Sequence, residues 1–149
     1  PGKLKVPGDV AVDHYRRWQE DVDLLAALEI PVYRFSIAWT RIFPDGDGRP
    51  NPKGIAFYKN LVRALRARGI KPMVTLFHYD TPQKLQDRGG WANRAIADAF
   101  ETYARTMYEA LGDDVELWTT FNEPWVAAFL GHYYGKYPPG LTDFSTALQ

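Results

Sequence analysis

Pro72-Met73-Val74-Thr75-Leu76-Phe77 is a short, mostly apolar run held between Arg68-Gly69 and His78-Tyr79-Asp80. It is too short for a stable helix, and glycine before it and polar residues after it mark its ends, so it reads as a buried strand. Immediately upstream, Asn51-Pro52 predicts an N-cap with proline at the first helical position. Ile55, Tyr58, Val62 and Leu65 then line one helix face, which stops near Arg68-Gly69, where glycine suits the C′ position. Downstream, a polar loop with Gly89-Gly90 leads to Asn93, a plausible cap. The stripe Ile96, Phe100, Tyr103, Met107, Leu111 predicts a helix closed by Gly112. Val115 to Phe121 reads as another strand, running into Asn122-Glu123-Pro124.

Further toward the N-terminus the same alternation begins. Tyr15, Trp18, Val22, Leu25 and Leu28 step by three and four, predicting an amphipathic helix from about Asp13 to Leu28. Pro31 breaks it, Val32-Tyr33-Arg34-Phe35-Ser36-Ile37 follows as a strand, and Pro44-Asp45-Gly46-Asp47-Gly48 is loop. The order is helix, strand, three times over. Strand ends near residues 36, 77 and 121 stand 41 and 44 residues apart. Near-equal units with apolar strands indicate an α/β fold with a parallel sheet covered by helices. They fit part of a (β/α)8 TIM barrel, a fold of typically about 250 residues. A doubly wound sheet has the same local pattern, but no Gly-rich phosphate loop follows any strand. No linker, low-complexity stretch or sequence repeat divides the chain, so residues 1–149 read as a single fragment of one domain.

Composition is that of a globular protein, with 46% apolar and 24% charged residues among 149. The aromatic share, 15% with five Trp and nine Tyr, suits either core packing or a sugar site; alone it favours the core. Lys+Arg and Asp+Glu are both 18 and no basic stripe stands out, which argues against nucleic acid as partner. There is no cysteine, which excludes disulfides, thiolate metal sites and a cysteine nucleophile. His14, His78 and His132 share no ligand spacing, so no metal is expected, and no motif calls for a cofactor. No apolar run approaches membrane-spanning length, so no membrane partner is expected. No targeting segment is visible, which leaves the compartment unknown, with the cytoplasm as default. The opening Pro1-Gly2-Lys3-Leu4-Lys5 lacks Met and suggests a piece of something longer.

Polar residues gather where the strands finish. The first strand carries Arg34 and Ser36 and leads to Trp39, the second delivers His78-Tyr79-Asp80, and the third delivers Asn122-Glu123. In a parallel barrel these ends share the face on which active sites are built. Glu123, followed by Pro124 and flanked by Trp118 and Trp125, has the setting of a partly desolvated carboxylic acid suited to proton donation. It equally fits a carboxylate at a helix N-terminus. Asn122 reads either as an amide that holds a sugar hydroxyl or as a turn residue. His78 reads as a hydroxyl ligand or a structural histidine. Arg34, inside an apolar strand, calls for a carboxylate partner. Asp80 is one candidate, and a carboxylate outside these residues is the other. The aromatic stretch Gly131–Gly140 reads as a loop at a site rim or on plain surface.

An ordered set of motifs resembles the family 1 glycoside hydrolases of β-glucosidase type. Its members are Asp13-His14-Tyr15, Tyr33-Arg34-Phe35-Ser36-Ile37-Ala38-Trp39, Arg41-Ile42-Phe43-Pro44 and Asn51-Pro52-Lys53-Gly54. They continue with Thr75-Leu76-Phe77-His78, Gly89-Gly90-Trp91 and Thr120-Phe121-Asn122-Glu123-Pro124-Trp125. The resemblance runs from about Gly8 to Gly140 and aligns the chain with an N-terminal piece, barrel strands 2–4. It implies a β-glycoside substrate and a retaining mechanism with two carboxyl groups about 5–5.5 Å apart. It implies Glu123 as general acid/base, Asn122 on the sugar 2-hydroxyl, His78 on the non-reducing sugar and Arg34 holding the nucleophile carboxylate. Where the family usually has Trp after the His, this chain has Tyr79, which shortens a sugar contact and bears on glycone preference. The family's Thr-Glu-Asn-Gly segment, with the nucleophile, is absent from the 149 residues. Two expectations follow: a glycosidase active once completed, or a catalytically inert barrel fragment acting as a folding, assembly or small-ligand-binding module. Open strand edges predict pairing with a complementary barrel fragment or self-association.

Overall fold

The computed structural model describes residues 10–148. The opening Pro1 to Lys5, and Gly8, where the family resemblance begins, lie outside the described residues. Three strands form one parallel sheet in the order β1 (Val32–Ser36), β2 (Lys71–Phe77), β3 (Leu117–Phe121). Each is reached by way of a helix: α1 (His14–Ala27) before β1, α3 (Pro52–Ala67) before β2, and α5 (Ile96–Leu111) before β3. Short pieces fill the connections: α2 (Trp39–Ile42), α4 (Gln83–Gln86) and a 3₁₀ turn over Gly90–Ala92. A π-helix over Val126–Tyr133 and the short α6 (Phe144–Ala147) follow β3.

The helix punctuation is local chemistry. Asn51 caps α3, its side-chain oxygen accepting from Lys53 N at 3.1 Å while its amide donates to the Arg41 carbonyl at 3.0 Å. Gly69 ends α3 at φ 73°, the left-handed backbone for which glycine carries no Cβ penalty. Asn93 stands slightly ahead of its helix: its side chain accepts from Ala95 N, and α5 starts at Ile96. Gly112 closes α5 as the sequence indicated, with a right-handed φ of −56°. Asp13 does not cap α1; it is left-handed at φ 50° and its carboxylate pairs with Arg16. Along the predicted stripe, Val22 is buried and Trp18 and Leu25 pack on the core, whereas Tyr15 in the first turn and Leu28, just past the end of α1, are exposed.

α1 packs on α3, and α3 on β2 and α5. Phe35, Ile37, Val74 and Leu76 meet Leu61, Val62, Leu65, Tyr103 and Met107 in a single core. Trp39 is fully buried, stacked on Tyr103 with centroids 5.1 Å apart and planes 7° apart. Burying one such ring contributes on the order of 2–3 kcal/mol, so α2 is anchored although it is only one turn long. The Tyr103 hydroxyl lies 3.0 Å from the Ile37 carbonyl and 2.9 Å from that of Leu76, joining the upper ends of β1 and β2. Gly54 lies so close to α2 that a Cβ there would sit 2.3 Å from the Arg41 carbonyl oxygen.

The register sets Arg34 opposite Met73 and Ser36 opposite Thr75, with Met73 and Thr75 in turn opposite Leu117 and Thr119. These side chains share the sheet face away from α3. Arg34, Ser36 and Leu117 are exposed on it. β1 and β3 each have one edge unpaired among the described residues. The arrangement is a partial barrel: parallel strands, helices on one face, and an inner face left open.

Candidate active site

β1, β2 and β3 finish on the same rim, and their loops carry the polar groups. Arg34 extends from β1 across the open face. Its Nε donates to Thr75 Oγ1 at 2.9 Å and Nη2 donates to Asn122 Oδ1 at 2.8 Å. One guanidinium therefore links all three strands. Of the two carboxylate partners considered for Arg34, Asp80 is not the one. The loop after β2 turns Asp80 toward α2, where Oδ2 accepts from Trp39 N at 2.8 Å. Burial there pushes the Asp80 carboxyl up to about 6, and its other oxygen is buried with no partner among the described residues. Arg34 finds neutral acceptors instead, and its exposure on the open face lets it do so at little desolvation cost.

Glu123 follows β3 by two residues and is exposed. Its Oε2 accepts from the Tyr79 hydroxyl at 2.5 Å. Both residues have left-handed backbones, Glu123 at φ 44° and Tyr79 at φ 73°, conformations that non-glycine residues adopt at a cost. Neighbouring protein raises the Tyr79 phenol above its ordinary value by burial first, then through the bond to Glu123 and that carboxylate's charge. Asn122 is anchored through its backbone, N–H donating to the Phe77 carbonyl at 2.9 Å, so the β3 loop is tied to the top of β2. His78, exposed, sets its ring perpendicular to Tyr79 at 5.3 Å.

The expected residues thus fall into two hydrogen-bonded pairs, Tyr79–Glu123 and Arg34–Asn122, with His78 beside the first. His78 and Arg34 also line a concavity of about 350 Å³ with Ser36, Thr75 and His14. Tyr79 faces a second, of about 450 Å³, with Trp91, His132, Tyr137 and Pro138. Thr75, fully buried, is the member that sequence reasoning passed over. Its signal was a hydroxyl inside an otherwise apolar strand, alternating with Met73 on the face shared with Arg34. The stretch 131–140 is only partly loop, because the π-helix extends to Tyr133. Trp125 opens that segment, 57% exposed and stacked on Phe129 at 5.0 Å. π-helical turns occur often at functional sites. Among the described residues no cluster of His, Asp or Glu is placed to hold a metal ion, and no helix is long and apolar enough to cross a membrane.

A chain with this rim has close relatives. β-Glucosidase A of Thermotoga maritima is 50% identical over all of this chain, which covers 34% of that protein. Thermostable β-glucosidase B of Thermobispora bispora is 52% identical over 96% of this chain and 30% of its own length. Among solved structures, the family 1 β-glucosidase of Thermotoga maritima superposes with a TM-score of 0.95 over 99% of this chain and 34% of the other, and one such structure holds glucoimidazole. The chain spans about a third of the length of these relatives, and the sheet described above is the corresponding part of their TIM barrel. The model of glycosyl hydrolase family 1 matches residues 3–149, and the chain belongs to that family.

Proposed function

We propose that this chain carries the acid/base half of a retaining β-glycosidase, with β-glucosides as substrates. The observation that carries the reading is the Glu123 carboxyl at the end of a parallel strand, hydrogen-bonded to Tyr79 on the neighbouring loop, in a family 1 chain. Glu123 protonates the leaving oxygen as the anomeric bond breaks, then takes a proton from water when the glycosyl intermediate is hydrolysed. Asn122, oriented by Arg34, holds the sugar 2-hydroxyl, and His78 and Tyr79 border the non-reducing sugar. Among the described residues Arg34 Nη1 makes no hydrogen bond, so it is available to receive the nucleophile carboxylate. The 149 residues contain no Thr-Glu-Asn-Gly segment, and the open edges of β1 and β3 leave room for further barrel strands that would carry the nucleophile. The second reading, a folding or assembly module without catalysis, concerns the 149 residues by themselves.

The test is hydrolysis of 4-nitrophenyl β-glucoside by the chain alone and by the chain joined to the remaining two thirds of the Thermotoga maritima enzyme. Each is compared with its Glu123→Gln variant. Turnover is expected only in the completed barrel, and the substitution should lower it by about 10²–10⁴. Equal turnover in the Glu123→Gln variant would remove Glu123 from the chemistry. Absence of turnover from a folded, completed barrel would favour the module.

A further inference from the structure

Tyr79 donates to Oε2 of Glu123 at 2.5 Å, while Oε1 makes no hydrogen bond among the described residues. The two carboxyl oxygens are therefore unequal before any substrate arrives. The left-handed φ at both residues holds the pair in this orientation, and the Tyr79 ring is fixed from the side by His78 at 5.3 Å and by Tyr137 at 6.4 Å. Around the carboxylate, the loop after β2 presents His78 and Tyr79, and the segment after the π-helix presents Tyr137. β1 presents Arg34, whose Nη2 donates to Asn122 Oδ1 and not to the carboxylate, and Asn122 also acts on the Tyr79 phenol.

We propose that Tyr79 is a positioning residue that assigns Oε1 of Glu123 as the proton-delivering oxygen and steadies Oε2 as charge develops. The proposal rests on the reading of Glu123 as the general acid. In the protonated acid, Oε2 is the carbonyl oxygen and accepts from the phenol, so the proton resides on Oε1. As the anomeric C–O bond breaks, the Oε1–H proton passes to the leaving oxygen and its electron pair remains on the carboxyl. The new negative charge is shared with Oε2, where the neutral hydrogen bond becomes a charge-assisted one. An interaction that strengthens along the reaction lowers the barrier and leaves ground-state binding nearly as it was. This is a role for the hydroxyl, distinct from any contact of the ring with sugar.

Two measurements test it. In the 149-residue chain, Tyr79 is followed by NMR titration of ¹³Cζ-labelled tyrosine. Its phenol is expected to titrate lower in Glu123→Gln than in the wild type, and identical curves would show that the pair does not exist in solution and overturn the proposal. In the completed barrel, Tyr79→Phe is compared with wild type on a methyl β-glucoside, whose leaving group needs the proton, and on a 2,4-dinitrophenyl β-glucoside, whose leaving group does not. The loss in kcat/KM is expected to be about tenfold larger for the methyl glucoside. Equal losses on both would mean that Tyr79 only shapes the site. Failure of Glu123→Gln to slow the methyl glucoside would instead strike the acid assignment itself, so the two ideas fail separately.

Discussion

Burial raises the Asp80 carboxyl from an ordinary value of 3.8 to about 6, and only one of its oxygens has a hydrogen-bond partner among the described residues. A carboxyl with a raised folded pKa binds its proton more tightly in the folded state. Its contribution to stability is fully present below pH 3.8 and is lost as the pH rises through about 6. Asp80→Asn keeps an acceptor for Trp39 N–H and removes the titration. Denaturant unfolding should therefore show the variant gaining on the wild type by about 1–3 kcal/mol between pH 4 and pH 7. A constant difference across that range would show that Asp80 is solvated in the folded chain. The same residue marks a limit of reading side chains from sequence. An arginine inside an apolar strand called for a carboxylate partner, but sequence did not show which loop would bend toward it. Asp80 was claimed by the unpaired N–H that opens α2, and Thr75 and Asn122 took its place.

At the level of elements, the three helix stripes and the three apolar runs were readable because burial on one face leaves a period in the sequence. The short pieces were not. α2 is four residues long and completes barely one turn, too little for any period, and it is held by the stacking of Trp39 on Tyr103 instead. The π-helix is apolar almost throughout, so no face stood out. Its wider turn shows only in bonds such as Tyr134 N–H to the Phe129 carbonyl at 2.7 Å. Strand bounds differ by one or two residues from the sequence reading: β1 ends at Ser36 and not Ile37, β2 begins at Lys71 and not Pro72, and β3 begins at Leu117 and not Val115. Two ion pairs, Lys84–Asp45 and Arg88–Asp47, lie across the loops after β1 and β2. All four side chains are at least half exposed, so they contribute little. The buried Tyr103 hydroxyl is a stronger tie, because it serves carbonyls at the ends of two strands. Tyr103→Phe should cost about 1–3 kcal/mol, read as a lower Tm by calorimetry, and an unchanged Tm would show that water satisfies those carbonyls.

For the molecule as a whole, the sheet is covered on one side only. Val32 and Leu117 stand exposed at 38% and 41%, and the outer edges of β1 and β3 have no strand partner among the described residues. Exposed parallel edges beside apolar side chains favour association. Sedimentation of the 149-residue chain at micromolar concentration should find a species heavier than a monomer, which a complementary barrel fragment converts to a one-to-one complex. A monomer that also ignores the complementary fragment would show that the edges are protected. The family and the barrel were legible because their landmarks recur in order along the chain. What completes the sheet was not, because strand pairing between distant segments leaves no local mark. The backbone at Glu123, φ 44°, has a consequence of another kind. Left-handed backbone costs an ordinary residue about 1–2 kcal/mol and costs glycine nothing. Selection for thermal endurance alone would therefore drive position 123 toward glycine. The acid/base role proposed for Glu123 would account for a strain at this position that glycine would relieve.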